Sequence, residues 1–459
     1  MNSAQQRALR AFARRLGAAQ VSLDPAVRQA HAGDKWFATA LPDAVATPAD
    51  TAGVARVLAF ANERRIPVTP RGAGYGYVGG CVPVHGGIAL SLERLDKILE
   101  ISRADFVAVV QPAVRTRALQ DAAERQGLFY PPDPASRADS SLGGNIATNA
   151  GGPRCLKYGV TRDYVLGLEV VLADGTVARL GGRAHKNKTG FDLHRLLVGS
   201  EGLLGVVTEA TLKLLPRPPW RSALAVGMAG MAAAARAIEA VFAAGFLPCA
   251  LEVADRFTLA AAAERTKDRR LEGCDAVLML ELDGHEKSVR AEMTVVERLL
   301  RRFRPRFVQR AHGDVACERL WQLRREFSFA LRDTGLTKMN EDVVVPRGRL
   351  LELFALGERL QSRHGLPVAC FGHAGDGNIH VNLMVDEKQP GHAKRRDAAL
   401  DELFKGVLAL GGAITGEHGV GLAKKPWWPL AVSAEARALH RSVKRALDPR
   451  GILNPGKFV

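Results

Sequence analysis

The sequence predicts an α+β protein with two unlike halves that meet near Pro216-Arg-Pro-Pro219. Two observations carry that expectation. Before the boundary lie three glycine-rich turns, each tied to β-branched runs and none opening a standard nucleotide-binding helix. Beyond it come two similarly spaced rounds of strand, helix and strand, which suggest a ferredoxin-like sheet with helices on one face.

Length and composition bound the rest. A chain of 459 residues has ample length to bury a core. Its 47% hydrophobic and 24% charged residues are those of a soluble globular protein. No apolar run approaches the ~20 residues needed to span a bilayer. The N-terminal MNSAQQRALRAFARRL is basic but lacks a signal peptide's apolar centre. Leu9, Phe12 and Leu16 recur at helical spacing, so an amphipathic helix docked on the body is expected rather than a mitochondrial presequence. Six cysteines (Cys81, Cys155, Cys249, Cys274, Cys317, Cys370) stand without a C-x-x-C, which excludes a standard iron–sulfur run or zinc ribbon and fits reduced thiols in a cytosolic protein. The net charge of +16 suits nucleic acid, an anionic membrane surface, or an acidic substrate or partner. Because the Lys and Arg are dispersed and only 6% of residues are aromatic, no nucleic-acid partner is expected.

In chain order, Asp50 reads as the N-cap of a helix over Thr51–Arg65 with a Val54, Val57, Leu58, Ala61 stripe. Ile66–Thr69 is a short strand that runs into the first glycine cluster, Pro70-Arg-Gly-Ala-Gly-Tyr-Gly-Tyr-Val-Gly-Gly80. Position 77 is Tyr, so the dinucleotide fingerprint fails, but such glycines let backbone N–H groups approach a phosphate closely. Gly87–Leu92 and Phe106–Gln111 read as strands and Thr116–Gln126 as a helix. After the proline-set turn Tyr130–Ser136, the second cluster, Ser140–Gly152, interleaves Gly with Ser, Thr and Asn, a mixture suited to a polar cofactor threaded along the backbone. Gly167–Ala173 and Val177–Leu180 form a hairpin over Asp174-Gly175, and the third cluster, from Gly199, leads into a long β-branched strand.

Past the boundary, Ala223–Gly227, Met231–Ala244 and Ala250–Val253 make the first strand-helix-strand round. Ala276–Leu282, Lys287–Arg301 and Arg306–Gln309 make the second. A helix over Glu318–Leu331 and a strand over Glu341–Val345 follow, then a helix over Arg349–His364. Between Pro367–Phe371 and Ile379–Val385, Asp376-Gly377 reads as a two-residue hairpin turn, which would set His373 directly opposite His380. Paired imidazoles of that kind can hold one metal ion, although a packed or hydrogen-bonded pair is the commoner outcome on pattern alone. The glycine-flanked turn Gly411–Gly421 adds Glu417 and His418, completing a plausible metal-plus-base set. Ala434–Leu447 closes the chain as a helix.

Taken together, the three glycine turns and the two histidine motifs resemble the FAD-linked 2-hydroxyacid dehydrogenases of the vanillyl-alcohol-oxidase superfamily over about residues 45–459. Relatives of that kind include bacterial D-lactate dehydrogenase, the flavin subunit of glycolate oxidase and D-2-hydroxyglutarate dehydrogenase. The resemblance implies a helical segment over 1–44 and a two-part FAD-binding domain of the PCMH type over 45–218. It further implies a ferredoxin-like α+β substrate (cap) domain over 219–425 and a segment over 426–459 returning to the FAD domain. It implies noncovalent FAD wrapped at the pyrophosphate by Arg71, Gly72, Ala73, Gly74, Tyr75 and Gly79. The isoalloxazine and ribose sides would meet Pro132, Asp133, Ser136, Gly143, Gly144, Asn145, Thr148, Asn149 and Gly152. Tyr158, Gly159, Gly202, Val206 and Val207 would make further contacts, with Asn454 and Lys457 returning from the C-terminus. Thr is common in the family where this chain has Tyr75.

The same resemblance assigns His373, His380 and Glu417 as metal ligands, His418 as catalytic base, and Arg324, Ser328 and Lys338 to the substrate. Asn382 either orients a ligand or finishes its strand. Two His and one carboxylate with an open position fit zinc, with Mn²⁺ or Fe²⁺ also compatible. The implied reaction oxidises a D-2-hydroxyacid to the 2-oxoacid. The metal polarises the hydroxyl, His418 takes its proton and the Cα hydride passes to the flavin N5. The implied partners are a small 2-hydroxyacid and an electron acceptor: a quinone, a cytochrome, an electron-transfer flavoprotein or an iron–sulfur subunit. A homodimer or a subunit of a larger complex is implied, in the cytoplasm or peripheral to the inner membrane. The alternatives are a flavin-carrying subunit without turnover of its own and an alkyl-transferring flavoenzyme on the same scaffold.

Overall fold

The computed structural model describes residues 1–459, which gather into two compact units. One comprises Met1–Gly151, Val160–Arg217 and Glu417–Val459, and the other Gly152–Gly159 and Pro218–Gly416.

In the first unit the N-terminal helix Ser3–Leu16 is closed by an Asn2/Gln5 capping box and buries Leu9, Phe12 and Ala13. Phe12 stacks on Phe60 at 4.0 Å, which docks this helix on Thr51–Arg64. The latter starts on Asp50, whose Oδ1 accepts from the Gly53 N–H at 2.6 Å, and stops at Arg65 in the left-handed region. A four-stranded sheet runs in the order Val21–Ser22, Ala44–Ala46, Ile88–Ser91, Val68–Arg71, its last three strands parallel. The antiparallel five-stranded sheet runs Ile98–Ser102, Val107–Val110, Val206–Lys213, Val165–Val171, Val177–Gly181. Ile452 and Leu453 join the same apolar core as Leu58, Val68 and Val171, so the chain's end is part of this unit's interior.

The second cluster departs from expectation. Leu142–Thr148 is a short helix across Gly143-Gly144, because Ser141 caps it and Leu142 and Ile146 are buried on one side. Asn149, at φ 53°, ends it.

The second unit is built on one seven-stranded antiparallel sheet. Its strands in chain order are β1 (Trp220–Met228), β2 (Ala250–Asp255), β3 (Ala276–Gly284), β4 (Phe307–His312), β5 (Thr337–Val344), β6 (Val368–His373) and β7 (Asn378–Val385). Their order across the sheet is β4-β1-β3-β2-β6-β7-β5. The first four positions are the ferredoxin-like arrangement, and the hairpin β6–β7 with β5 widens it. Helices cover both faces rather than one. Residues 222–228 of β1 are all buried, which a half-solvated strand would not allow. On one face α2 (Arg256–Thr266) and α4 (Gly313–Asp333) pack on Ala223, Ala225, Ala250, Ala254 and Phe371. Against the sheet's other side lie α1 (Met231–Ala243), α3 (Glu286–Arg301), α5 (Leu350–His364) and α6 (His392–Ala409).

The histidine hairpin has a different register from the one Asp376-Gly377 suggested. His373 pairs with Asn378, and His380 with Phe371, across a four-residue loop, Ala374–Gly377. Of the two expected turn residues only Gly377 has positive φ, 85°, so the two-residue turn does not form. The Gly377 N–H bonds back to the His373 carbonyl instead. With a side-chain period of 2, His380 still shares the face of Asn378, and the two imidazoles become diagonal neighbours.

Candidate active site

Within the first unit the three glycine clusters meet. The Ala73 N–H donates to Ser141 Oγ at 3.2 Å, and a Cβ on Gly72 would sit 2.6 Å from that oxygen. The third cluster joins through Glu201 N–H to the Ala147 carbonyl and Gly199 N–H to the Ile146 carbonyl, both at 2.8 Å. A Cβ on Gly202 would press on Pro70 at 3.2 Å. Asn454 completes the arrangement by donating from Nδ2 to the carbonyls of Gly80 and Glu201. The result is a backbone-lined cradle from which Cβ atoms are excluded, the surface a phosphate-bearing, flat cofactor needs.

Several residues assigned to cofactor contact turn out to brace this cradle. The Arg71 guanidinium lies against Gly74 of its own loop and donates from Nη1 to the Gly33 carbonyl at 2.5 Å. Asn145 donates to Thr116 Oγ1 at 2.7 Å, and Thr148 back-bonds to the Gly144 carbonyl. Asn149 accepts from the Arg162 N–H at 2.8 Å. The Pro132 carbonyl accepts from Gln120, and the Ser136 carbonyl from Ser140 N–H. Gly143 lies against Pro112, Gly79 against Trp36 and Leu422, and Gly74 against Arg71. Val206 and Val207 pair with Val171 and Val170. Gly152, Tyr158 and Gly159 fall in the segment that belongs to the second unit, where the Tyr158 hydroxyl donates to Asp283 Oδ2 at 2.6 Å.

His418 lies in the first unit with its ring 5.4 Å from that of Tyr77. The turn that follows is fixed by Glu201, which sequence reasoning passed over inside the third glycine cluster. This buried carboxylate accepts from the Val420 N–H at 2.7 Å and the Gly421 N–H at 2.8 Å. Burial raises the Glu201 carboxyl above its usual range, and those two amides work against the rise. Replacing Glu201 with alanine strands both amides, at about 1–3 kcal/mol each. A clear fall in Tm is expected, smaller for Glu201→Gln, and thermal unfolding checks it.

In the second unit His373 and His380 are buried, with ring centroids 5.5 Å apart and planes at 79°. Asp342, on β5 opposite His380, holds the strand's neighbours together: Oδ1 accepts from Asn378 Nδ2, and Oδ2 from Thr415 Oγ1 and the Gly416 N–H. That last bond ties down the residue before Glu417. His373 and His380 thus offer two neighbouring imidazole ligands within the second unit, while Glu417 begins the last segment of the first. Asn382 donates from Nδ2 to the Ala369 and His380 carbonyls, which ties it to its strand.

Arg324 and Ser328 stand one turn apart on α4. Arg324 donates from Nε to Glu252 Oε2 at 2.5 Å and lies 4.8 Å over the Phe371 ring. Lys338 on β5 donates to Ser328 Oγ at 2.7 Å. Burial, and after it the Arg332 and Arg324 cations, push the Lys338 ammonium down to about 8.

Comparison with known proteins agrees with this architecture. A family model for the FAD binding domain matches residues 42–181, and one for the C-terminal domain of FAD linked oxidases matches 217–458. Glycolate oxidase subunit GlcD of Bacillus subtilis is 40% identical over 418 residues, 91% of this chain and 89% of that protein. D-2-hydroxyglutarate dehydrogenase of Xanthomonas citri pv. viticola is 35% identical over 452 residues, 93% of this chain and 92% of that protein. Among solved structures, p-cresol methylhydroxylase superposes with a TM-score of 0.82 at 20% identity, covering 100% of this chain and 97% of that one. The fold is therefore of the PCMH type that the resemblance implied. The chain belongs to the FAD linked oxidases and is an FAD-dependent oxidoreductase.

Proposed function

We propose that the protein oxidises a D-2-hydroxyacid of the glycolate, D-lactate or D-2-hydroxyglutarate type to the 2-oxoacid. The observation that supports this reading is the buried imidazole pair His373 and His380, ring centroids 5.5 Å apart, to which the family resemblance adds Glu417 as third ligand of a trio and His418, next in the chain, as base. FAD, held noncovalently in the glycine cradle, supplies the acceptor for the Cα hydrogen and its two electrons. A divalent cation held by the trio supplies Lewis acidity toward the hydroxyl; the His₂-carboxylate donor set suits zinc. His418 takes the hydroxyl proton. Arg324 offers its Nη edge to the substrate carboxylate, since Nε is committed to Glu252. Ser328 and Lys338 extend that anion-binding surface.

The depressed Lys338 value has a consequence in pH. Below about 8 the ammonium is charged and favours an anionic substrate, while its burial costs the fold stability. As pH rises through about 8, the charge and its attraction are lost and that cost is relieved. KM for the hydroxyacid is expected to climb above pH 8, and Lys338→Arg to remove the climb; initial rates across pH 6.5–9.5, roughly the span over which such a lysine titrates, check both.

The main test is an anaerobic panel of glycolate and the enantiomers of lactate and 2-hydroxyglutarate, following flavin absorbance with and without a chelator. Bleaching by D-acids or glycolate that the chelator suppresses supports the reading; no bleaching by any of them overturns it. A second reading follows from the GlcD relative, which is named as a subunit: this chain would carry flavin in a larger complex and turn over only there. Reduction of the isolated chain by substrate excludes it. No helix is long and apolar enough to cross a membrane. The net charge of +16 favours an electron acceptor that is an acidic protein or is met at an anionic membrane surface.

A further inference from the structure

We propose that Glu252 is a positioning residue that sets His373 for metal ligation and Arg324 for substrate at the same time. This rests on the function proposed above. Glu252 lies on β2, fully buried, between Ala250 and Ala254 on the same face of the strand. Its neighbours there are alanines packed under α2 and α4, so an apolar side chain would serve packing as well. A buried carboxylate is costly unless both oxygens are matched. Here they are, by two groups with assigned roles: Oε1 lies 2.5 Å from His373 Nδ1, and Oε2 accepts from Arg324 Nε at 2.5 Å.

The two bonds do different things. A carboxylate only accepts, so His373 Nδ1 carries the proton and its Nε2 presents the lone pair that a metal requires. On the other side Glu252 takes the Nε of the guanidinium, and Phe371 lies beneath the same group at 4.8 Å. Those two contacts fix the plane of Arg324 and leave the Nη pair for a carboxylate. Phe371 is also 5.5 Å from the His380 ring, so both imidazoles and the arginine are packed through one small set of side chains. One carboxylate, more than seventy residues from either partner, thus sets the tautomer of a ligand and the plane of an anion-binding fork.

The test uses the full-length FAD-loaded protein, with Glu252→Gln as the main variant. Facing Arg324, the amide turns its oxygen to Nε and its NH₂ to His373 Nδ1, which shifts the imidazole proton to Nε2. Zn²⁺ affinity, measured by competition with a chromophoric chelator, is expected to fall about 10–100-fold. KM for the hydroxyacid is expected to rise by about tenfold, the loss of one well-oriented charged hydrogen bond. Glu252→Asp keeps the charge and the tautomer, and is expected to recover most of the Zn²⁺ affinity while KM stays raised. A purely structural salt bridge would instead lower Tm and leave Zn²⁺ affinity and KM at wild-type values, which overturns the proposal. Failure of the wild-type protein to bind Zn²⁺ overturns the metal reading and this inference with it. Wild-type Zn²⁺ binding alongside an unaltered Gln variant overturns this inference alone. If Glu252→Gln does not fold, Glu252→Asp carries the comparison through its KM, and a wild-type KM there is the overturning result.

Discussion

Replacing His418 with alanine is expected to slow anaerobic flavin reduction by about 10²–10⁴-fold, with FAD and metal content unchanged. The expectation rests on how little else in the turn could take a proton once Glu417 is given to the metal, as proposed. Gly419, Val420 and Gly421 follow His418 with no titratable side chain, and the Thr415 hydroxyl before it is donated to Asp342. The turn is also stiff. Glu201 holds two of its amides, and a Cβ on Gly419, at φ 85°, would meet Glu201 Oε1 at 2.6 Å. A base carried on a turn with few conformations is already oriented, so its loss appears in the chemical step and not in binding. Stopped-flow reduction at saturating substrate is the measurement. A His418→Ala protein that reduces its flavin within threefold of the wild-type rate would falsify the assignment of His418 as base.

What the sequence disclosed, and what it hid, divides by the range of the interaction. The glycine clusters and the histidine motifs were legible because each is a local composition with a local physical reason. So were the caps: Asp50 and its apolar stripe mark the first long helix of the body within a residue or two. The hairpin's existence was legible but its register was not, since Asp376 does not take the positive φ that the dipeptide suggests. Period-2 geometry limits the consequence of that slip, because going from direct to diagonal pairing keeps both imidazoles on one face. The helix at Leu142–Thr148 was hidden by two glycines that ordinarily argue against one; Ser141 and the buried Leu142 and Ile146 outweigh them.

The carboxylates Glu201, Glu252 and Asp342 were invisible for a different reason. Each acts through partners far away in the sequence: Glu201 on residues 420–421, Glu252 on Arg324 and His373, Asp342 on residues 378 and 415–416. No window of sequence contains both ends of such a bond. The one available signal was an acidic residue at the centre of a β-branched or alanine-rich strand, as in Ala250-Leu-Glu-Val-Ala254. Burying a charge there without a partner would cost more than a strand of that length gains, so a distant cation or donor had to exist.

The largest effect on composition as well as rate is expected from His380→Ala. His380 is buried beside Phe371 at 5.5 Å and shares its face with His373 at the same separation, so the two imidazoles form one pair. With a single histidine and one carboxylate left, a divalent ion has two protein ligands, too few for a closed three-ligand site. Bound metal in the purified variant should therefore drop to background by elemental analysis, and flavin reduction should lose its sensitivity to chelators. Losing a Lewis acid worth several kcal/mol at the developing alkoxide corresponds to a fall in kcat/KM of about 10³-fold or more. Removing a buried ring also destabilises the hairpin, by about 1–3 kcal/mol, so His380→Asn serves as the closer match in size and polarity. Both variants keep the glycine cradle intact and should retain FAD at wild-type stoichiometry. If either holds metal at the wild-type level, or turns over normally without it, the trio has no ligand role and the hydroxyl must be activated by His418 alone.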